Sequence, residues 1–209
     1  MPVEIGIDSR MIFSSGIGTY IRGIVSQYPH VKYPADWRFT LAGTENPSYP
    51  NFKFQKFAAP IYSLTEQWSY PGVLKKFDLW HAPHYNVPFL KPKTRLVTTI
   101  HDLIHWVFRG KFFNPLQAAY AKTMIQKALS NSAHVITVSQ KTKSDLIEHF
   151  GADENRVSVI YEAASPDFRP LPSDEIAQIK IRCNLPSEYF LYVGLLKPHK
   201  NVLWLVRLF

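Results

Sequence analysis

The chain has 209 residues, 46% apolar and 19% charged, which suits one ordinary domain with a remnant attached and excludes global disorder. Its formal net charge of +8 fits an acidic partner such as nucleotide phosphates or anionic lipid, but the basic residues are dispersed in pairs such as Lys75-Lys76 and Lys141/Lys143. With no run resembling a basic arm, no nucleic acid partner is expected.

Strands and helices alternate along the chain. Val3–Asp8 is a short apolar run bearing a charge, which reads as a first strand and not as a signal peptide. After Gly16 and Gly18 come Ile17, Tyr20, Ile21, Ile24, Val25 and Tyr28, spaced along one face of a helix. Trp37–Ala42 reads as a second strand, and Phe52, Phe54 and Phe57 lie in an extended segment. Ser63-Leu64-Thr65-Glu66 resembles a capping box, opening a helix predicted to stop at Tyr70 because Pro71 follows.

Asp78–Ala82 and Leu96–Ile100 are further strands. Pro115 suits the first turn of a helix, with Leu116, Ala119, Tyr120, Met124, Ala128 and Leu129 expected on its inner side. His134–Val138 is another buried strand, and Thr142–Phe150 a helix closed by Gly151. Val157–Ile160 follows as a strand, then Pro166, Pro170 and Pro172 mark an extended linker. Ser173–Arg182 reads as a helix, and Tyr189–Gly194 as a new strand. The alternation implies an α/β fold: a parallel sheet with helices on both faces. The residues after Lys200 are too few to return a helix and a second strand. The expected division is therefore a first domain over 1–170, a linker and helix over 171–188, and the first strand–loop–helix of a truncated second domain over 189–209.

In an open α/β sheet ligands bind beyond the carboxyl ends of the strands. Asp8-Ser9-Arg10 and Ser15-Gly16-Ile17-Gly18-Thr19-Tyr20 fall there after the first strand. Glycines admit close backbone approach, and free amides at a helix N-terminus favour phosphate or sugar oxygens; a tight turn explains the same residues equally well. Ile21 stands where a dinucleotide fingerprint wants a third glycine, which disfavours a nicotinamide enzyme. His101-Asp102 follows the fourth apolar strand, where an imidazole is available for hydrogen bonding or proton transfer. His81, His84, His101 and His105 invite a metal, but no carboxylate cluster accompanies them and none is expected. Ser139 reads first as a helix N-cap and second as a ligand. Cys183 is the sole cysteine, which rules out an intrachain disulfide and fits a reducing compartment. Lys197, His199 and Lys200 form a basic loop suited to a diphosphate. No uncharged apolar run approaches the ~20 residues of a membrane span, leaving surface attachment open.

Together these segments resemble the retaining, GT-B-fold glycosyltransferases of the family 4 type, which include many bacterial mannosyltransferases. The resemblance is carried by Ile7-Asp8-Ser9-Arg10 with Ser15–Tyr20, by His81-Ala82-Pro83-His84, and by Thr99-Ile100-His101-Asp102-Leu103. Ile136–Ser139 with Lys143–Leu146, Val159–Tyr161 through Pro170, and Tyr192-Val193-Gly194 with Pro198–Asn201 continue it in order. It implies two Rossmann-like domains around a cleft, with the acceptor mainly on the first and the nucleotide sugar mainly on the second. A hexose would pass from a nucleotide-diphosphate sugar to a hydroxyl of a saccharide or lipid-linked acceptor, without an obligatory metal or other cofactor. The resemblance implies that Gly16 and Gly18, with Asp102 and Ser139, bind substrate, that His101 touches the transferred sugar, and that His199 and Lys200 hold the donor diphosphate. The family usually has arginine where His199 stands, a stronger cation. Its donor-binding glutamate pair would lie past Phe209, so this stretch alone is expected to turn over little without its C-terminal domain. A cytoplasmic location with peripheral contact on the inner membrane face is expected. The competing expectation is a non-catalytic module that binds an acceptor, a partner or a membrane.

Overall fold

A computed structural model describes residues 1–208, which fall into two compact units: Met1–Glu162, and the residues from Ala163 on. The first unit is a seven-stranded sheet: β1 (Val3–Asp8), β2 (Trp37–Gly43), β3 (Lys53–Lys56), β4 (Leu79–Ala82), β5 (Arg95–Ile100), β6 (Ser132–Thr137) and β7 (Val157–Val159). Neighbours run parallel in the order β3-β2-β1-β4-β5-β6-β7. The chain first builds outward from β1 to β3, then crosses back to lay β4 on the other side of β1. The strand order reverses there, which opens a crevice beyond the carboxyl ends of β1 and β4.

The α/β expectation holds, with helices on both faces. Ile7 and Leu41 point to one side and pack with Ile12, Ile21 and Val25, the last two on α1 (Gly16–Gln27). The pleat turns Gly6 to the other side, where a Cβ would sit 2.5 Å from the Trp80 ring. On that side Trp80 joins Tyr70, Val73 and Leu74 of α2 (Leu64–Leu74) and Met124, Ile125 and Ala128 of α4 (Pro115–Asn131). A short α3 (Ile104–Val107) precedes α4, and α5 (Gln140–Phe150) leads into β7. Gly151 ends α5 with φ +64°, a conformation glycine adopts freely.

Two expectations about helices fail for physical reasons. Helix α2 does not stop at Tyr70 but runs through Pro71 to Leu74. Pro71 is exposed, while Tyr70, Val73 and Leu74 are buried around it, so apolar burial outweighs the hydrogen bond that Pro71 cannot donate to the Gln67 carbonyl. In α4 the inner residues are Ala118, Ala121, Met124, Ile125, Ala128 and Asn131, whereas Leu116 and Ala119 are exposed. The small residues Ala118 and Ala121 take the inward positions of its first turns in place of Leu116 and Ala119. Asn114 caps α4 with a reciprocal box to Gln117.

The second unit holds α6 (Ser173–Arg182) and α7 (Val202–Leu208). The strand expected over 189–194 is not formed among the described residues. A strand needs a neighbour for its backbone groups, and this unit supplies none; Phe190, Leu191 and Val193 are exposed.

Candidate functional site

At the end of β1, beside the reversal, lies a buried charge cluster. The Arg10 guanidinium is held by Asp8 (Nε to Oδ1 2.9 Å) and by Glu66 (Nη2 to Oε1 2.7 Å), and it donates to the Ala59 carbonyl at 3.1 Å. It also lies over the Phe57 ring, 3.9 Å from the centroid. Burial works to lower its pKa, but Asp8, then Tyr70 and Glu66, carry it above the ordinary guanidinium value. Glu66 is fully buried and accepts from the Tyr70 hydroxyl (3.1 Å), the Tyr62 amide (3.1 Å) and the Asn86 side chain. Asn86 in turn accepts from the Tyr120 hydroxyl at 2.7 Å. This network ties the loops after β1 and β4 to α2 and α4. Removing one member of such a buried pair costs about 3–5 kcal/mol.

Read from sequence, Glu66 has only a capping role. Ser63 does cap α2, accepting from the Glu66 amide at 3.1 Å, yet the carboxylate turns inward. The missed signal is its position four residues before Tyr70, on the stripe that faces the core.

The strand-end histidines make separate contacts within the fold. His81 is buried, and its Nε2 meets Thr99 Oγ1 at 2.9 Å. Burial, then His101, lower its pKa to about 4, against a weaker opposite pull from Asp8. His84 is lowered to about 3 by burial, then by His101 and His105. Both are neutral at physiological pH. Among the described residues, the one His/carboxylate group of metal-like spacing is Asp145, Glu148 and His149, on α5.

His101, at the end of β5, is only partly covered. Its Nε2 lies 3.0 Å from the Pro83 carbonyl and its Nδ1 3.3 Å from the Glu162 carboxylate, both acceptors. Both contacts are hydrogen bonds only when the ring carries both protons. The edge of Tyr20 packs on it, centroids 4.7 Å apart, and the Tyr20 hydroxyl meets Thr99 Oγ1 at 2.9 Å. Tyr20 and Thr99 thus join His81 and His101 to the first turns of α1. An imidazole held this way can exchange hydrogen bonds with a sugar hydroxyl.

The glycine pair divides in role. Gly16 opens α1, and a Cβ added there would meet nothing within 4 Å, so ligand atoms have room beside it. At Gly18 a Cβ would fall 2.6 Å from the Met11 carbonyl, so this glycine lets α1 pack on the turn after β1. Asp102 is exposed and accepts from the Ile104 amide at 3.1 Å, a local turn contact. Ser139 caps α5, accepting from the Thr142 amide at 3.1 Å. Thr142 then donates to the His101 carbonyl at 3.1 Å, which latches α5 to the end of β5. Gly16, Gly18, His101, Asp102 and Ser139 all belong to the first unit. His199 and Lys200 lie in the second, in a helical turn over Pro198–Lys200 that ends at left-handed Asn201.

The profile of Glycosyltransferase Family 4 matches residues 21–168. The chain belongs to that family. It is similar to the O-antigen chain mannosyltransferase RfbU of Salmonella typhimurium, 24% identical over 185 residues, which cover 87% of this chain and 48% of the relative. It is also similar to O-antigen chain mannosyltransferase B of Escherichia coli, 26% identical over 131 residues, covering 62% of this chain and 33% of that protein. The fold of Anabaena Alr3699/HepE, solved with UDP-glucose, superposes with a TM-score of 0.56 at 14% identity, covering 87% of this chain and 50% of that one. A glycosyltransferase from Rickettsia africae gives 0.53 at 14% identity, covering 90% and 51%. The sheet is thus that of a Rossmann-like domain of the GT-B fold, and the chain spans about half the length, or less, of the relatives it matches.

Proposed function

We propose that the protein acts in the transfer of a hexose, mannose by its relatives' names, from a nucleotide-diphosphate sugar to a hydroxyl of a saccharide or lipid-linked acceptor. Retention of the anomeric configuration and the absence of an obligatory cofactor are part of this proposal. The first unit binds the acceptor in the crevice beyond β1 and β4. The observation that carries the reading is the meeting of His101, a part of whose ring stays exposed, and the open start of α1 at the reversal of strand order, within a family 4 sheet. In this scheme Gly16 leaves room for sugar and phosphate oxygens, and His101 contacts the transferred sugar, its Nδ1 exchanging the Glu162 carboxylate for a sugar hydroxyl. Gly18, Ser139 and Asp102 serve by shaping the backbone around them. His199 and Lys200 counter charge as it develops on the leaving diphosphate.

The test is sugar transfer from GDP- and UDP-sugar panels, by the 209-residue chain and by the chain continued into the reading frame after Phe209. The expected result is transfer from GDP-mannose by the extended protein and little by the shorter one. Inactivity of both with every donor, while the short chain still binds saccharide acceptors, assigns the fold to a binding module instead.

A further inference from the structure

Beside the crevice, the loop before α2 holds one residue in a conformation that its side chain disfavours. Tyr62 has φ +67°, in the left-handed region, and is the one aromatic residue so placed among the described residues. Burial does not explain it, since Tyr62 is 53% exposed. Its amide donates to Glu66 Oε2 at 3.1 Å, so the buried cluster around Arg10 holds the backbone there. The ring stands nearly perpendicular to those of His84 and Tyr120, with centroids 5.9 and 6.0 Å away, and the Tyr120 hydroxyl is fixed on Asn86. An aromatic ring is thus kept rigid with much of its surface in solvent.

His84 lies beside it and lines the crevice with Asp8, Arg10, Met11, Ile61 and Pro83. Its Nδ1 accepts from the Asn86 amide at 3.4 Å, which puts the single proton of the uncharged ring on Nε2. That Nε2–H meets no acceptor among the described residues. The Tyr85 ring stacks on the same imidazole, centroids 4.0 Å apart, and restrains it. His84 follows Pro83, whose carbonyl meets His101, so the free donor opens next to the histidine assigned to the transferred sugar.

Charge decides the class of ligand. Arg10 faces two carboxylates, Asp8 and Glu66, and the uncharged His81 and His84 add no cation. The cluster therefore carries more negative than positive charge, which repels a phosphate and suits a neutral polyol.

We propose that Tyr62 and His84 form the subsite for the acceptor's terminal sugar, an uncharged pyranose whose apolar face lies on the Tyr62 ring while one of its hydroxyls accepts from His84 Nε2. A pyranose offers C–H groups on one face and hydroxyls around its rim, and a rigid aromatic ring with a fixed donor beside it matches both. The subsite rests on the transfer reading only for the sugar's role as acceptor; its occupancy is read without turnover.

The test is a titration of the 209-residue chain, labelled with nitrogen-15 in its histidine rings and followed by nuclear magnetic resonance. The probes are methyl α-D-mannopyranoside, methyl α-D-glucopyranoside and mannose 6-phosphate. At least one pyranoside is expected to shift the His84 Nε2 resonance while leaving that of His134, which is paired with Ser158, in place. The phosphorylated sugar should bind at least about tenfold more weakly. Tyr62→Gly removes the ring and adopts the left-handed backbone freely, so it should weaken binding by at least about tenfold with the chain still folded by circular dichroism. Tyr62→Phe should bind as the unaltered chain does, and His84→Ala should weaken binding as Tyr62→Gly does. No shift at His84 with any probe, binding that survives Tyr62→Gly, or equal binding of the phosphorylated sugar overturns the proposal. Binding that meets these expectations while the extended protein transfers no sugar would defeat the transfer reading and leave the saccharide subsite in place.

Discussion

Two buried side chains beside the crevice show how single residues set its response to conditions. Arg10 sits between two carboxylates, Asp8 and Glu66, in a site with little water to soften an imbalance. His81 is neutral in the fold, titrating near 4 instead of 6.5 because burial disfavours its charge. Between those values the unfolded chain binds the proton that the folded chain refuses. His81 therefore contributes its full stability above 6.5, and that contribution falls as the pH drops toward 4. The expected loss from His81 is about 2 kcal/mol between pH 8 and pH 5, with His84 acting in the same direction. Urea unfolding at the two pH values reads this directly, and His81→Gln should reduce the difference by about 2 kcal/mol. Stability that rises on acidification would contradict the assignment.

At the scale of elements, α2 shows where local rules lose to packing. Pro71 interrupts its backbone ladder at an exposed position, so the helix bears a cost that only the burial of Tyr70, Val73 and Leu74 offsets. Pro71→Ala restores a donor for the Gln67 carbonyl and should raise stability by about 1–2 kcal/mol, after allowing for the freer unfolded chain. Thermal unfolding measures it, and a lowered midpoint would mean that the proline shapes the helix in a way burial does not explain. The strands of the first unit, by contrast, are legible in the sequence. Buried parallel strands read as short stretches rich in β-branched residues, and Val3–Asp8 with Val3, Ile5 and Ile7, and Leu96–Ile100 with Val97, Thr98, Thr99 and Ile100, are of that kind. The inner face of α4 is less legible, because Leu116 and Ala119 fit the helical spacing as well as Ala118 and Ala121 do. Apolar identity does not say which of two adjacent stripes meets the sheet. Glu66 escapes for a related reason: its motif supplies a local partner, while its buried partners come from Arg10 and Asn86, far away in sequence.

On the scale of the whole molecule, the order of strands does what no single motif does. By sending β4 to the far side of β1, the topology gathers residues from three distant stretches, Asp8-Ser9-Arg10, His81–His84 and His101, along one edge of the sheet. The sequence motifs lie there in order, but their convergence, and the reach of Tyr20 and Glu162 to His101, depend on contacts across the fold. The second unit, by itself, carries a basic turn with His199 and Lys200. The proposed transfer turns on His101 touching the reacting sugar. Its most direct check is turnover of GDP-mannose by the extended protein with His101→Ala beside the unaltered chain, each checked for folding by circular dichroism. A loss of about 10²-fold or more in kcat is expected, with the fold intact. Unchanged turnover in a folded His101→Ala protein would remove that imidazole from the reaction and contradict the proposed site.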